Sequence, residues 1–249
     1  MQLDPLPAVR AAHLGLLWAE FREEFPNLDE QLPLDALEEQ FEPGKLPVFQ
    51  IQIMGPPQVP RLWFISADQT RLLQVQQDRF LHNWRRVGPG ADYPRYEQLR
   101  EDFETHFQTF ASFVSQRGLG KPRIRHAEIS YINQLQPGEG WTDQGDLDRV
   151  IRMWSPTYEP GLLEGRPEDV RVAQRHLITD AEGPYARLYV AVEPVLGGAL
   201  VLNLTVRGCP RGSSLKSSLE FFDMGREKIV KGFTAVTTAE MHELWGRIQ

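Results

Sequence analysis

The sequence predicts an α+β fold of two similar halves, each a roughly four-stranded antiparallel sheet followed by a long helix, with a further helix at the N-terminus. Three observations carry this. Short segments with apolar residues at every second position come in two groups. Each group is followed by a long stretch whose apolar residues recur at helical spacing. The order of four strand-like segments and then a helix occurs twice. Residue identity between the halves is slight, so the duplication is one of pattern. It divides the chain into 1–122 and 123–249, as two domains or as one continuous domain.

The N-terminal helix follows Pro7, whose missing N–H needs no partner in a first turn. AVRAAHLGLLWAEFREEF then places Leu14, Leu17, Trp18, Phe21 and Phe25 on one face, and Pro26 ends the helix. From Asn27 to Pro47, six acids stand against the single Lys45, and prolines recur at Pro33, Pro43 and Pro47. This reads as an extended acidic connection. The first strands are VFQIQIM (48–54), RLWFISA (61–67), RLLQVQQ (71–77) and RFLHNWRRV (79–87), with a hairpin at Ala67-Asp68-Gln69-Thr70. After GPGADYP comes a helix with Leu99, Phe103, Phe107, Phe110 and Val114 on one stripe and Gly118 as its C-cap.

The second half supplies RIRHAEISYINQL, VRVAQRHLIT, YARLYVAVEPV and ALVLNLTVRG as strands, then a helix from about Ser217 bearing Leu219, Phe222, Ile229 and Phe233. Leu200, Leu202, Leu204 and Val206 point one way, and Asn203, Thr205 and Arg207 the other. One sheet face is thus expected to pack on helices and the other to be polar. In PGEGWTDQGDLDRV, Asp146 is expected to cap the short helix LDRVIRMW, with Trp141 packed beneath the loop.

Composition narrows the function classes. The net charge of −7 and isoelectric point near 5.5 disfavour sequence-blind nucleic-acid binding, which needs a cationic surface. A single cysteine, Cys209, rules out an internal disulfide and a cysteine-rich metal site, and fits a reducing cytoplasm. The start MQLDPLPAVR lacks the apolar core of a signal peptide, and no run is long enough to cross a bilayer, so neither export nor membrane insertion is expected.

Enzyme signatures are missing from the sequence. No G-x-S-x-G elbow, Walker loop or dinucleotide fingerprint occurs. His13, His82, His106, His126, His176 and His242 are scattered singly, so no metal, cofactor or catalytic residue is expected. The spacings Arg100 to His106 and Arg171 to His176 match the loose pattern of some RNA-cleaving helical domains, and such pairs arise easily by chance.

Taken in order, HLGLLWAEFREEFPNLDEQ, RLLQVQQDRFLHNWRRVGPGADYPRYE, EISYINQL, ARLYVAVEP, VLNLTVRG and GREKIVKGFTAVTTAEMHELWGR resemble a sporadically distributed bacterial protein family of unknown function. The resemblance covers nearly the whole chain and implies an identity but no mechanism. Relatives carry an extra apolar strand ahead of the segment matching LDPLPAVR. By that comparison this chain is truncated at its start or has a shortened first strand, which bears on the edge pairing of the first half.

Two places stand out as candidate binding sites. In RFLHNWRRV neither alternating face is cleanly apolar, and Tyr93, Arg95 and Tyr96 follow it. Trp84, Arg85, Arg86 and Arg95 suit a protein or anionic ligand, with guanidinium forks on phosphate or carboxylate and a ring for stacking. The competing structural reading is that these arginines pair with the acidic connection. The second candidate is the polar face carrying His126, Glu128, Ser130, Asn203 and Arg207. The expectation is a non-catalytic binding or regulatory module. A nucleotide- or RNA-processing enzyme and a chaperone-like peptide binder are the alternatives, and homo-oligomerisation stays open.

Overall fold

The computed structural model describes residues 1–36, 38–39, 41, 59–88, 92–155, 165, 167–195 and 197–246. The chain divides into two compact units, Met1–Ala127 with Cys209–Glu220, and Glu128–Gly208 with Phe221–Gln249. The described residues form an α+β fold of nine strands and five helices, and neighbouring strands run antiparallel.

The first unit contains β1 (Gln2–Leu3), α1 (Ala11–Phe21), β2 (Asn27–Gln31), β3 (Arg61–Ile65), β4 (Arg71–Gln76), β5 (Arg79–Trp84), α2 (Tyr96–Gln116) and the beginning of β6 (Ile124–Leu135). Its strand order is β2-β3-β4-β5-β1-β6, larger than the four strands expected. Two of the extra strands come from stretches with no apolar alternation. β2 lies in what reads as the start of the acidic connection, and Asn27 to Gln31 pair residue for residue with Ile65 to Arg61. Its side chains are mostly exposed, as suits a charged strand with a single partner. β1 is short because Gln2 and Leu3 alone pair, with Gln2 opposite both Arg79 and His126. The expected strand at 48–54 lies outside the described residues.

Alternation explains the core of this unit. Leu62 and Phe64 on β3, Leu73 and Val75 on β4, and Phe80 on β5 are buried on one face. Leu14, Leu17 and Phe21 of α1 and Phe103, Phe107, Phe110 and Val114 of α2 are buried too, while the Leu99 expected on the stripe is only half-buried. Phe80 meets Phe103, Phe107 and Phe110 with ring centroids 5.9, 5.6 and 5.3 Å away. Past the end of α1, the Trp18 indole donates to the Phe25 carbonyl and fixes the exit of the chain. Gly118, at φ 65°, follows α2, and its N–H bonds the Ser115 carbonyl, the left-handed exit that favours glycine. The hairpin between β3 and β4 is held by Asp68, which accepts from Ser66 Oγ and from the backbone and hydroxyl of Thr70. Those bonds hold its carboxyl down to about 2.

The second unit contains the rest of β6, α3 (Leu147–Val150), β7 (Val172–Asp180), β8 (Gly183–Pro194), β9 (Leu200–Gly208), most of α4 (Leu215–Val236) and α5 (Ala239–Leu244). Strand order is β6-β9-β8-β7, and all four strands fall where alternation predicts them. Leu200, Leu202, Leu204 and Val206 are fully buried. α4 crosses this face closely because two of its residues lack side chains. A Cβ on Gly225 would stand 2.6 Å from Ile129 Cγ2, and one on Gly232 would stand 3.1 Å from Leu188 Cδ2. The expected cap at Asp146 is corrected. Asp143 caps the 3₁₀ turn Gln144–Asp146 by accepting from the Gly145 N–H, while the Asp146 carboxylate turns back to the Thr142 N–H. The following helix is four residues long because Ile151 leaves it to bridge Thr237. Trp141 is buried beneath this loop.

Candidate functional site

β5 ends at Trp84, three residues before the strand expected through Val87. The Arg85 N–H still bonds the Thr70 carbonyl, but the side chains of Arg85 and Arg86 have left the sheet and are exposed. Trp84 is half-buried, and its ring meets Tyr93 edge to face at 5.0 Å. Arg95 is exposed at the N-cap position of α2, where its side chain caps no backbone group. Strand end, aromatic pair and helix start thus form a basic and aromatic surface in an acidic chain. Arg85 Nε donates to the Gln69 carbonyl at 2.9 Å. Among the described residues, neither Arg86 nor Arg95 has an ion-pair partner.

The competing reading holds for a different arginine. Arg79, at the head of β5, is buried, and its guanidinium donates to Gln2 Oε1 and to the Asp35 carbonyl. Gln76 exchanges hydrogen bonds with the Leu34 backbone at 2.9 and 3.0 Å. Among the described residues, the acidic connection therefore engages this sheet through its backbone, at Arg79 and Gln76, and not at the exposed arginines.

The second candidate face is divided. His126 belongs to the first unit and is buried opposite Gln2, which removes it from the open polar face expected for it. The other four residues lie in the second unit, where Glu128 bonds Arg207 while Ser130 and Asn203 each bond Thr205. Glu128 accepts from Arg207 Nε at 2.5 Å, with Arg207 also 5.1 Å from the centre of the Tyr189 ring. Ser130 and Thr205 hydroxyls are 2.7 Å apart, and Thr205 donates to Asn203 Oδ1 at 3.1 Å. These cross-strand bonds stabilise the pairing of β6 with β9.

One cluster escaped sequence reasoning. His82 on β5 and His106 on α2 meet edge to face, with ring centroids 5.2 Å apart. His106 Nε2 lies 3.0 Å from Glu24 Oε2, so that nitrogen carries the proton and donates, while Arg71 bonds the other Glu24 oxygen. Burial, aided by His106, holds the His82 ring down to about 4. Histidines scattered singly in sequence are thus paired in space. The only sequence signal was position: His82 shares the Phe80 face of its strand, and His106 adjoins Phe107 on α2.

Among the described residues no group of three or more histidine, cysteine, aspartate or glutamate side chains is placed to hold a metal ion. Burial, reinforced by Glu39, pushes the Cys209 thiol up, so the thiolate a nucleophile needs is disfavoured. No helix among the described residues is long and apolar enough to cross a membrane. No family model, curated protein or solved structure matches the chain.

Proposed function

We propose that the protein is a non-catalytic binding module whose surface at Trp84, Arg85, Arg86 and Arg95 takes an anionic partner. The observation that carries this reading is the exposure of Arg86 and Arg95, with no ion-pair partner among the described residues, beside the Trp84–Tyr93 ring pair. Unspent guanidinium groups give charge and bidentate geometry for phosphate or carboxylate, and the exposed Tyr93 offers a ring to stack on. The polar face of the second unit is the weaker candidate because Glu128 and Arg207 are bonded to each other, and Ser130 and Asn203 to Thr205.

The test is fluorescence anisotropy of two labelled probes, an oligothymidylate of about ten residues and an oligoglutamate peptide, at low and high salt. Wild-type protein is expected to bind at least one of them with a salt-dependent affinity, and Arg86→Ala/Arg95→Ala to bind it more weakly with unchanged melting. No binding of either probe at low salt overturns the reading.

The two units also support a finer reading of the fold as an internal duplication. Each contains antiparallel strands followed in sequence by a long helix, α2 in one and α4 in the other. The family resemblance belongs to the same proposal, and a member's structure with the same strand order in each unit would support both.

A further inference from the structure

This inference rests on the reading of the Trp84–Arg95 surface as a binding site and concerns its regulation. That surface has two supports: β5, which ends in Trp84 and runs on into Arg85 and Arg86, and the first turn of α2, at whose N-cap position Arg95 stands. His82 joins them. It lies two residues before Trp84, and its ring packs on His106 of α2 and lies beside the backbone of Leu99, whose own N–H bonds the Arg95 carbonyl. A neutral imidazole has one N–H and one lone pair. His82 Nε2 is buried with no hydrogen-bond partner, so an imidazolium would hold an orphaned N–H there.

Opposite lies a second ring in the same condition. His106 Nε2 donates to Glu24, and its Nδ1 is also buried and without a hydrogen-bond partner. The charged and titratable groups around His82 are His106 and Asp102 from α2 and Arg71 from β4, with Glu24 beyond His106 and bonded by Arg71. Asp102 favours a charge on His82, whereas burial, His106 and Arg71 oppose it. No described group is placed to accept a proton from His82 Nε2. A proton there needs water, and water reaches it when the start of α2 lifts from β5.

We propose that protonation of His82 opens the seam between α2 and β5 and so takes the Trp84–Arg95 surface apart in acid. With His82 neutral the seam closes, because no charge on that ring is then held out of water. A cation in that place is better solvated with the seam open, and Arg95 then moves away from Trp84, Arg85 and Arg86.

Oligothymidylate is the probe for the test because its phosphodiesters and bases keep their charge across the acid range. Acid makes an acidic protein less negative, which by itself strengthens binding of a polyanion. The latch gives the opposite sign: wild type is expected to lose affinity severalfold between pH 7 and pH 4.5, and His82→Gln to keep or gain it. Hydrogen exchange over 96–106, corrected for the intrinsic rate at each pH, is expected to rise in acid for wild type and stay flat for His82→Gln. Seam opening without binding at any pH leaves the latch standing and overturns the proposed function. Equal pH profiles for the two proteins, in binding and exchange, overturn the latch. Should His82→Gln fail to fold, an NMR titration of the wild-type imidazole decides: a His82 midpoint at the ordinary 6.5, with exchange over 96–106 unchanged, overturns it as well.

Discussion

The imidazole of His82 presents to that of His106 across the α2–β5 seam, 5.2 Å between centroids and nearly perpendicular at 80°. Two titratable rings have been placed where aromatic packing would ordinarily continue the run of Phe103, Phe107 and Phe110. The arrangement makes the stability of the first unit sensitive to acid.

For His82 the folded value of about 4 lies below its ordinary 6.5. Its contribution is therefore fully present above pH 6.5 and is lost as pH falls from there through 4, where the unfolded chain binds a proton that the fold refuses. The loss approaches roughly 3 kcal/mol at the acid end. Urea titrations at pH 7 and pH 4 are expected to show the stability of wild type falling more than that of His82→Gln by about this amount. Equal falls would place the acid sensitivity elsewhere.

Phe80 is fully buried against three rings of α2. Phe80→Ala removes the largest contact of β5 with that helix and is expected to cost about 3–5 kcal/mol. A melting curve checks it, and a change under about 1 kcal/mol would contradict the packing described.

Arg85 and Arg86 are exposed, and neither is held in an ion pair among the described residues. The double substitution Arg85→Ala/Arg86→Ala is expected to leave stability within about 1 kcal/mol of wild type. It should weaken binding of an anionic probe more at low salt than at high salt, because exposed charges are screened. A collapsed melting transition would make these arginines structural.

Two helical glycines should respond oppositely to an added side chain. At Gly15 in α1 an added Cβ meets nothing within 4 Å, so Gly15→Ala is expected to stabilise by up to about 1 kcal/mol through helix propensity. At Gly225 in α4 the Cβ would crowd Ile129 Cγ2 at 2.6 Å and Val206 Cβ at 3.3 Å. Gly225→Val adds more bulk at that contact and is expected to cost about 1–3 kcal/mol. Paired denaturation curves give both signs.

Much of this structure was legible wherever the signal is local. Alternation in ALVLNLTVRG determined that Leu200, Leu202, Leu204 and Val206 share a buried face. Helical spacing determined the Phe103, Phe107, Phe110 and Val114 stripe, because burial follows the repeat of the element that carries it. Four strands of the second unit could be read in the same way. Pairing between distant segments could not. Asn27 to Gln31 has no apolar face and becomes β2 because β3 offers its backbone edge, a hydrogen-bonding opportunity that residue types do not encode. Arg79 sits in a basic run and is nonetheless buried, because Gln2 and the Asp35 carbonyl arrive from far away to receive its guanidinium. Solitary histidines became a pair for the same reason: their rings meet only where α2 lies on β5, and that contact exists only once the tertiary fold has formed.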